Sequence, residues 1–187
     1  MGDLNNLKVD FEKSKLEELA LFLKSKEELS FDNSSQKLVS VILVLYNRAE
    51  LTLQCLKSLL QHCHIPLELI VIDNNSTDDT SKLFSRIKGV NYIKNKENKN
   101  FLLACNQAAD LATGKYLLFL NNDATIREKA IENAIKVFSE ESNVGAVGAR
   151  IVLLDGKLQE AGSIVWNDGS CLGYGRGQKP DHFTYMH

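Results

Sequence analysis

Three short clusters carry most of the chemistry available to this chain. Tyr46-Asn47-Arg48, Asp73-Asn74-Asn75-Ser76 and Asn121-Asn122-Asp123 each place polar or acidic side chains directly behind an apolar run. One such cluster says little, because Asn, Asp and Ser are common turn and cap residues. Three delivered to one edge of a sheet make a site. Asp123 can offer a carboxylate to a hard divalent cation, Mg²⁺ or Mn²⁺, with substrate phosphates filling other positions. A cation held there neutralises a diphosphate leaving group. Plainer readings compete: Asp123 as the cap of the next helix, and Asp73 as an Asx turn.

Missing motifs narrow the ligand. No G-x-G-x-x-G comes after the first apolar run, and no G-x-x-x-x-G-K-[ST] occurs, so neither the dinucleotide fingerprint nor a P-loop is present. His62-Cys63-His64 could hold a metal in principle. Adjacent helical side chains point apart, however, and there is no second ligand pair at metal spacing, so a polar helix end is the plainer reading.

The elements that position the clusters alternate from Leu38 onward. Leu38–Leu45, Leu67–Ile72, Val90–Lys94 and Tyr116–Leu120 read as strands; the stretches 50–63, 101–112 and 127–140 carry apolar residues at helical spacing. Ser76 is expected to cap another helix, with Asp78 and Asp79 in its first turn, where the dipole favours negative charge. Gly114 is expected to stop the 101–112 helix. Apolar strands separated by amphipathic helices imply βαβ units, and so an α/β fold with a mostly parallel, Rossmann-like sheet covered by helices on both faces. In such sheets ligands bind outside the carboxyl ends of the strands.

The flanks differ. Leu16, Leu19, Ala20 and Leu23 form one apolar stripe, so residues 1–36 read as an N-terminal helix and linker that must dock on something, and 37–187 as the main domain. Val144–Leu153 and Leu158–Trp166 flank an Asp155-Gly156 turn, and Asn167-Asp168-Gly169 closes the second segment. Beyond Ser170 the chain is Gly-rich and is expected to form no core element, leaving Tyr174, Phe183 and Tyr185 without packing partners, as if a domain had been cut.

Length and composition, 187 residues with 44% hydrophobic and 25% charged, are those of a globular domain with a real core. A net charge of -2 argues against nucleic acid as a partner. No apolar run approaches the ~18 residues of a transmembrane segment. With no basic n-region before an apolar stretch, and four cysteines lacking any C-x-x-C pair, the chain reads as cytoplasmic.

VSVILVLYNR, LELIVIDNNSTDDT and YLLFLNNDA, in this order and spacing, resemble glycosyltransferase family 2, inverting transferases of the GT-A fold. The later LQEAGSIVWNDGSCLGYGRG is similar to a bacterial subgroup of rhamnosyltransferase-like enzymes that build surface polysaccharides. The resemblance implies transfer of a sugar from a UDP- or dTDP-sugar to a glycan or lipid-linked acceptor, metal-assisted, with a lipid-held acceptor bringing the protein to the inner membrane face. It also implies roles by position. Leu45, Tyr46 and Asn47 would line the base pocket, with Tyr46 stacking on the base. Asp73 would hydrogen-bond the uracil or thymine ring, with Asn75 beside it. Asn106 matches a polar position near the donor. Asn121-Asn122-Asp123 stands where the family has D-x-D, so Asp123 is the metal ligand and Asn121 faces the ribose or sugar.

Two departures stand out. Only Asp123 keeps a carboxylate, which implies looser metal binding. Lys99-Asn100 replaces the family's usual Leu-Gly, which puts a side chain where the third helix begins. The family's catalytic base has no counterpart: Asp155 and Asp168 fall in turns, Glu160 in a strand and Asp181 in the tail, so the base is expected beyond His187 and the chain alone is expected to transfer poorly. Two other readings stay open. A nucleotidyltransferase also uses a metal and a nucleotide, but opens with a Gly-rich loop where Tyr46-Asn47-Arg48-Ala49-Glu50 has no glycine. A non-catalytic nucleotide-binding or scaffold module with a degenerate transferase fold fits Asn121-Asn122 and the missing base.

Overall fold

The computed structural model describes residues 2–32 and 36–181, with side chains from Asn6 onward; the linker residues 33–35 and the aromatic tail residues Phe183 and Tyr185 lie outside them. The chain divides into two compact units: residues 13–128, and residues 1–12 together with 129–187. The larger unit therefore takes in both sides of position 36.

Its centre is a parallel sheet. β2 (Val39–Leu45), β3 (Leu67–Asp73), β5 (Asn91–Lys94) and β6 (Tyr116–Asn121) are ordered β5-β3-β2-β6, and every pairing is parallel. The register sets Leu45 opposite Asp73 and Val44 opposite Asn121, so three strands end level at one edge. α2 (Ala49–His62), α3 (Thr80–Phe84) and α4 (Asn100–Ala109) are the crossovers. α4 places Ala104 and Ala108 on Ile42, Ile70 and Ile72. Val41, Leu43 and Leu45, which point to the opposite sheet face, are fully buried, as are Leu53, Leu56 and Leu59 of α2. This double coverage is why the central strands β2 and β3 are apolar along almost their whole length; at the edge strand β6, Leu117 and Phe119 remain exposed.

The N-terminal helix, α1 (Gly2–Lys24), docks within this unit by its last turns. Its buried positions are Leu19 and Phe22, whereas Leu16 is exposed, so the stripe is rotated from the expected one. On the covered face the Lys57 ammonium of α2 lies 2.8 Å from Glu18 and 5.7 Å from the Phe22 ring centre. Two two-residue strands, β1 (Leu29–Ser30) and β4 (Ile87–Lys88), pair in parallel and tie the segment after α1 to the domain, reinforced by the Arg86 guanidinium on the Ser25 carbonyl at 3.0 Å.

Two local expectations need correction. α3 begins at Thr80, not just after Ser76: Ser76 Oγ accepts from the Asn47 nitrogen of the neighbouring loop, and it is Asp78 Oδ1 that accepts from the Thr80 nitrogen. α4 ends at Ala109, and Gly114 is required for another reason: a Cβ there would lie 2.6 Å from the Ser40 nitrogen.

The second unit holds α5 (Ala130–Glu140) and two small antiparallel pairs, β7 (Arg150–Val152) with β8 (Leu158–Ala161), and β9 (Ser163–Val165) with β10 (Cys171–Gly173). The Asp155-Gly156 turn forms as expected. The expected single strand 158–166 is broken at Gly162, whose φ of +89° ends one hairpin and starts the next. The Gly-rich tail contributes one short, largely exposed strand, β10, paired across Asn167-Asp168-Gly169.

Candidate functional site: a carboxamide-lined cleft at the strand ends

The level ends of β2, β3 and β6 open into a cleft of about 340 Å³. Tyr46, Asn121, Asn122 and Asp123 line it, together with Val44, Asn74, Asn98, Asn100 and Phe101. Tyr46 and Phe101 are each 57% exposed, two aromatic surfaces presented to one cavity. Among the described residues that line it, none is a lysine or arginine, and Asp123 is the one carboxylate.

The loop after β2 is strained into place. Asn47 and Arg48 both have positive φ, at 61° and 65°. Three contacts to the loop after β3 hold them. The Asn47 nitrogen donates to Ser76 Oγ at 2.8 Å, Asn47 Oδ1 accepts from the Thr77 nitrogen at 2.8 Å, and Asp78 Oδ2 accepts from the Ala49 nitrogen at 2.9 Å. Asp78 thus caps α2, placing its carboxylate where the helix dipole favours it. Burial alone would raise the Asp78 pKa; its bonds from Thr80 and Ala49 outweigh that and hold it low.

Asp73 lies beneath the cleft rather than in it, with no exposed surface. Its Oδ1 accepts from the Ser76 nitrogen at 2.7 Å, and its Oδ2 accepts from the Tyr92 hydroxyl at 2.6 Å, with Lys94 Nζ 3.8 Å away. Both oxygens are committed to protein partners. Leu45 is core, and Asn47 is spent on joining the two loops. Asn75 is exposed in a left-handed turn, φ 68°, and Asn106 is exposed on α4; neither lines the cleft.

Asn122 donates from Nδ2 to Thr52 Oγ1 at 2.9 Å, which ties β6 to α2. Ser58 Oγ accepts from the Ile126 nitrogen at 3.0 Å and fixes the loop beyond Asp123. Asp123 itself is exposed. The Cys55 thiol is pushed up to about 12, first by burial and then by the charge of Asp123.

A sequence model of glycosyltransferase family 2 matches residues 40–183. The chain belongs to glycosyltransferase family 2. It is 37% identical over 107 residues to an uncharacterized glycosyltransferase of Rickettsia conorii, covering 56% of this chain and 18% of that one. It is 34% identical over 115 residues to the Escherichia coli UDP-Glc:alpha-D-GlcNAc-diphosphoundecaprenol beta-1,3-glucosyltransferase WfaP, covering 57% of this chain and 46% of that one. The chain therefore spans less than half the length of either relative. Among solved structures, a mannosyltransferase of Pyrobaculum calidifontis in complex with GDP-Man and Mn2+ superposes with a TM-score of 0.52 at 22% identity, over 75% of this chain and 42% of that one. The sheet and its crossovers are thus those of a GT-A glycosyltransferase.

Proposed function

We propose that the cleft binds the nucleoside diphosphate of a sugar donor, UDP- or dTDP-linked, and that the protein passes the sugar to a glycan or lipid-linked acceptor with inversion. The observation that carries this reading is the convergence of Tyr46, Asn121, Asn122 and Asp123 on one cavity at the carboxyl edge of a parallel sheet. Tyr46 supplies a face for the base, and Phe101 a second apolar surface beside it. Asn121 and Asn122 offer carboxamides to the ribose and sugar hydroxyls. Leu45, Asn47 and Asp73 act from below, by holding the two loops that carry Tyr46 and Asn74.

The donor set suits a hard divalent cation. One exposed carboxylate, Asp123, with carboxamide oxygens nearby, fits Mg²⁺ or Mn²⁺, which often take one or two carboxylates and complete their shell with water and substrate phosphate. Among the described residues no cluster of three acidic, His or Cys side chains offers more. When bound, such a cation stabilises the charge left on the departing diphosphate. It also answers a need of the cleft, whose described lining residues include no cationic side chain to meet a diphosphate. Among the described residues no helix is long and apolar enough to cross a membrane; a lipid-linked acceptor would bring the protein to the inner membrane face from the cytoplasm.

Product analysis tests the reading. With a UDP- or dTDP-sugar and glycan acceptors, the full-length protein should release nucleoside diphosphate. Pyrophosphate release from a nucleoside triphosphate and a sugar phosphate would replace this reading with a nucleotidyltransferase. Nucleotide binding without release of either product would make the protein a binding module.

A further inference from the structure

Beneath the cleft runs a relay of side-chain carboxamides. Gln107 Nε2, on α4, donates to Asn95 Oδ1 at 3.1 Å. Asn95 Nδ2 donates to Asn74 Oδ1 at 2.9 Å, and Asn74 Nδ2 donates to the Asn100 carbonyl at 3.2 Å. Asn74 and Asn95 are only 2% and 7% exposed. The relay ends on the segment that forms one wall of the cleft, where Asn98, Asn100 and Phe101 line the cavity.

Its direction is fixed at the cleft end. Asn74 must donate to the Asn100 carbonyl and accept from the Lys99 nitrogen, at 3.4 Å. Turning over any one carboxamide sets acceptor against acceptor at the next link, so a reversal propagates until Asn74 presents its oxygen to the Asn100 carbonyl. The far end carries the cost. Gln107 Oε1 is buried and, among the described residues, has no hydrogen-bond partner. A buried orphan acceptor is unfavourable; here it accompanies delivery of Nε2 to Asn95. Asn100 sits at φ 64°, so the wall is also held in a backbone conformation that L side chains rarely adopt.

We infer that Gln107 and Asn95 are positioning residues for the donor site: through Asn74 they set the wall 98–101 against which the nucleotide is held, and so tune nucleotide affinity without touching the ligand. The inference rests on the nucleotide reading above.

Gln107→Glu and Gln107→Leu test it together at pH 7.5, well above the ordinary glutamate value of about 4.3. The carboxylate introduced by Gln107→Glu can only accept, so it takes the Asn95 amide, turns that carboxamide over and sets acceptor against acceptor at Asn74. Gln107→Leu neither donates nor accepts and leaves Asn95 donating to Asn74. UDP with Mn²⁺ is titrated into the unchanged chain and into both variants, with folding checked by circular dichroism. The expected result is at least tenfold weaker binding by Gln107→Glu and a clearly smaller loss in Gln107→Leu. Asn95→Asp, whose carboxylate cannot donate to Asn74, should weaken binding in the same direction as Gln107→Glu. Equal affinities of the unchanged chain and Gln107→Glu, or an equal loss in Gln107→Glu and Gln107→Leu, overturn the inference. Failure of the unchanged chain to bind UDP overturns the nucleotide reading instead.

Discussion

The Tyr92 hydroxyl donates a 2.6 Å hydrogen bond to a carboxylate oxygen of Asp73 that has no solvent exposure. This contact joins the outer strand β5 to the end of β3 just where the cleft begins. Removing it by Tyr92→Phe leaves a buried charged acceptor with only Lys94 at 3.8 Å, and should cost about 1–3 kcal/mol. Urea denaturation measures the loss. Burial first, and then Asp73, raise the Tyr92 pKa. A raised folded pKa stabilises below the ordinary tyrosine value and loses that stabilisation as pH climbs through the folded one. Stability should therefore begin to fall above about pH 10, less steeply in Tyr92→Phe.

Glu68 staples the opposite end of the sheet. Its Oε1 accepts from Ser40 Oγ at 2.5 Å, the Thr113 nitrogen at 2.6 Å and the Gly114 nitrogen at 3.1 Å. Burial alone would raise the Glu68 pKa, and these bonds together outweigh it and lower it. The stabilisation is present above the ordinary glutamate value, about 4.3, and is lost as pH falls through the folded one. The stability gap between the unchanged chain and Glu68→Gln should narrow between neutral pH and about pH 3, as measured by thermal melts across that range.

Gly114→Ala should destabilise by about 1–3 kcal/mol or more, because its Cβ would lie 2.6 Å from the Ser40 nitrogen and 2.8 Å from the Val39 carbonyl carbon, backbone that cannot move aside, as well as 2.7 Å from Ser40 Oγ. Asn100 should behave in the opposite way. With φ at 64°, Asn100→Gly should be neutral or stabilising, and Asn100→Val should cost about 1–3 kcal/mol. Melting temperatures of the three variants check both statements.

The cysteines should separate by reactivity. Cys171 is exposed, whereas Cys55 is buried with its pKa pushed up to about 12. At pH 8 a thiol reagent should label Cys171 in the folded protein and reach Cys55 only on unfolding. Mass spectrometry of the labelled peptides decides this.

The sheet was legible because β2, β3 and β6 are continuous apolar runs, which length and β-branching reveal directly. The edge carrying the site was legible for the same reason: once Leu45, Asp73 and Asn121 end parallel strands, the polar residues just beyond them must share an edge. The division of labour among those polar residues was not. Asn47 looks in sequence like a ligand contact and Asp78 like a first-turn charge of its own helix, and only the packing of two distant loops shows them bonded to each other's segments. Asp73 does close an Asx turn on Ser76, the plainer reading of the sequence, but its second partner, Tyr92, lies 19 residues away. Asn95 and Gln107 carried no local signal, since their partners lie 21 and 12 residues away. That Phe22 rather than Leu16 is buried was not legible, since the surface that covers α1, Lys57 included, lies far along the chain. The two-residue strands β1 and β4 are too short to show any period.

Calorimetric titration with UDP, with and without Mn²⁺, of the unchanged chain and of Asp123→Ala tests the central claim most directly. Binding at the cleft should require the cation and weaken at least tenfold in the variant. Metal-independent binding that Asp123→Ala leaves untouched, or no binding by a demonstrably folded chain, would contradict the account.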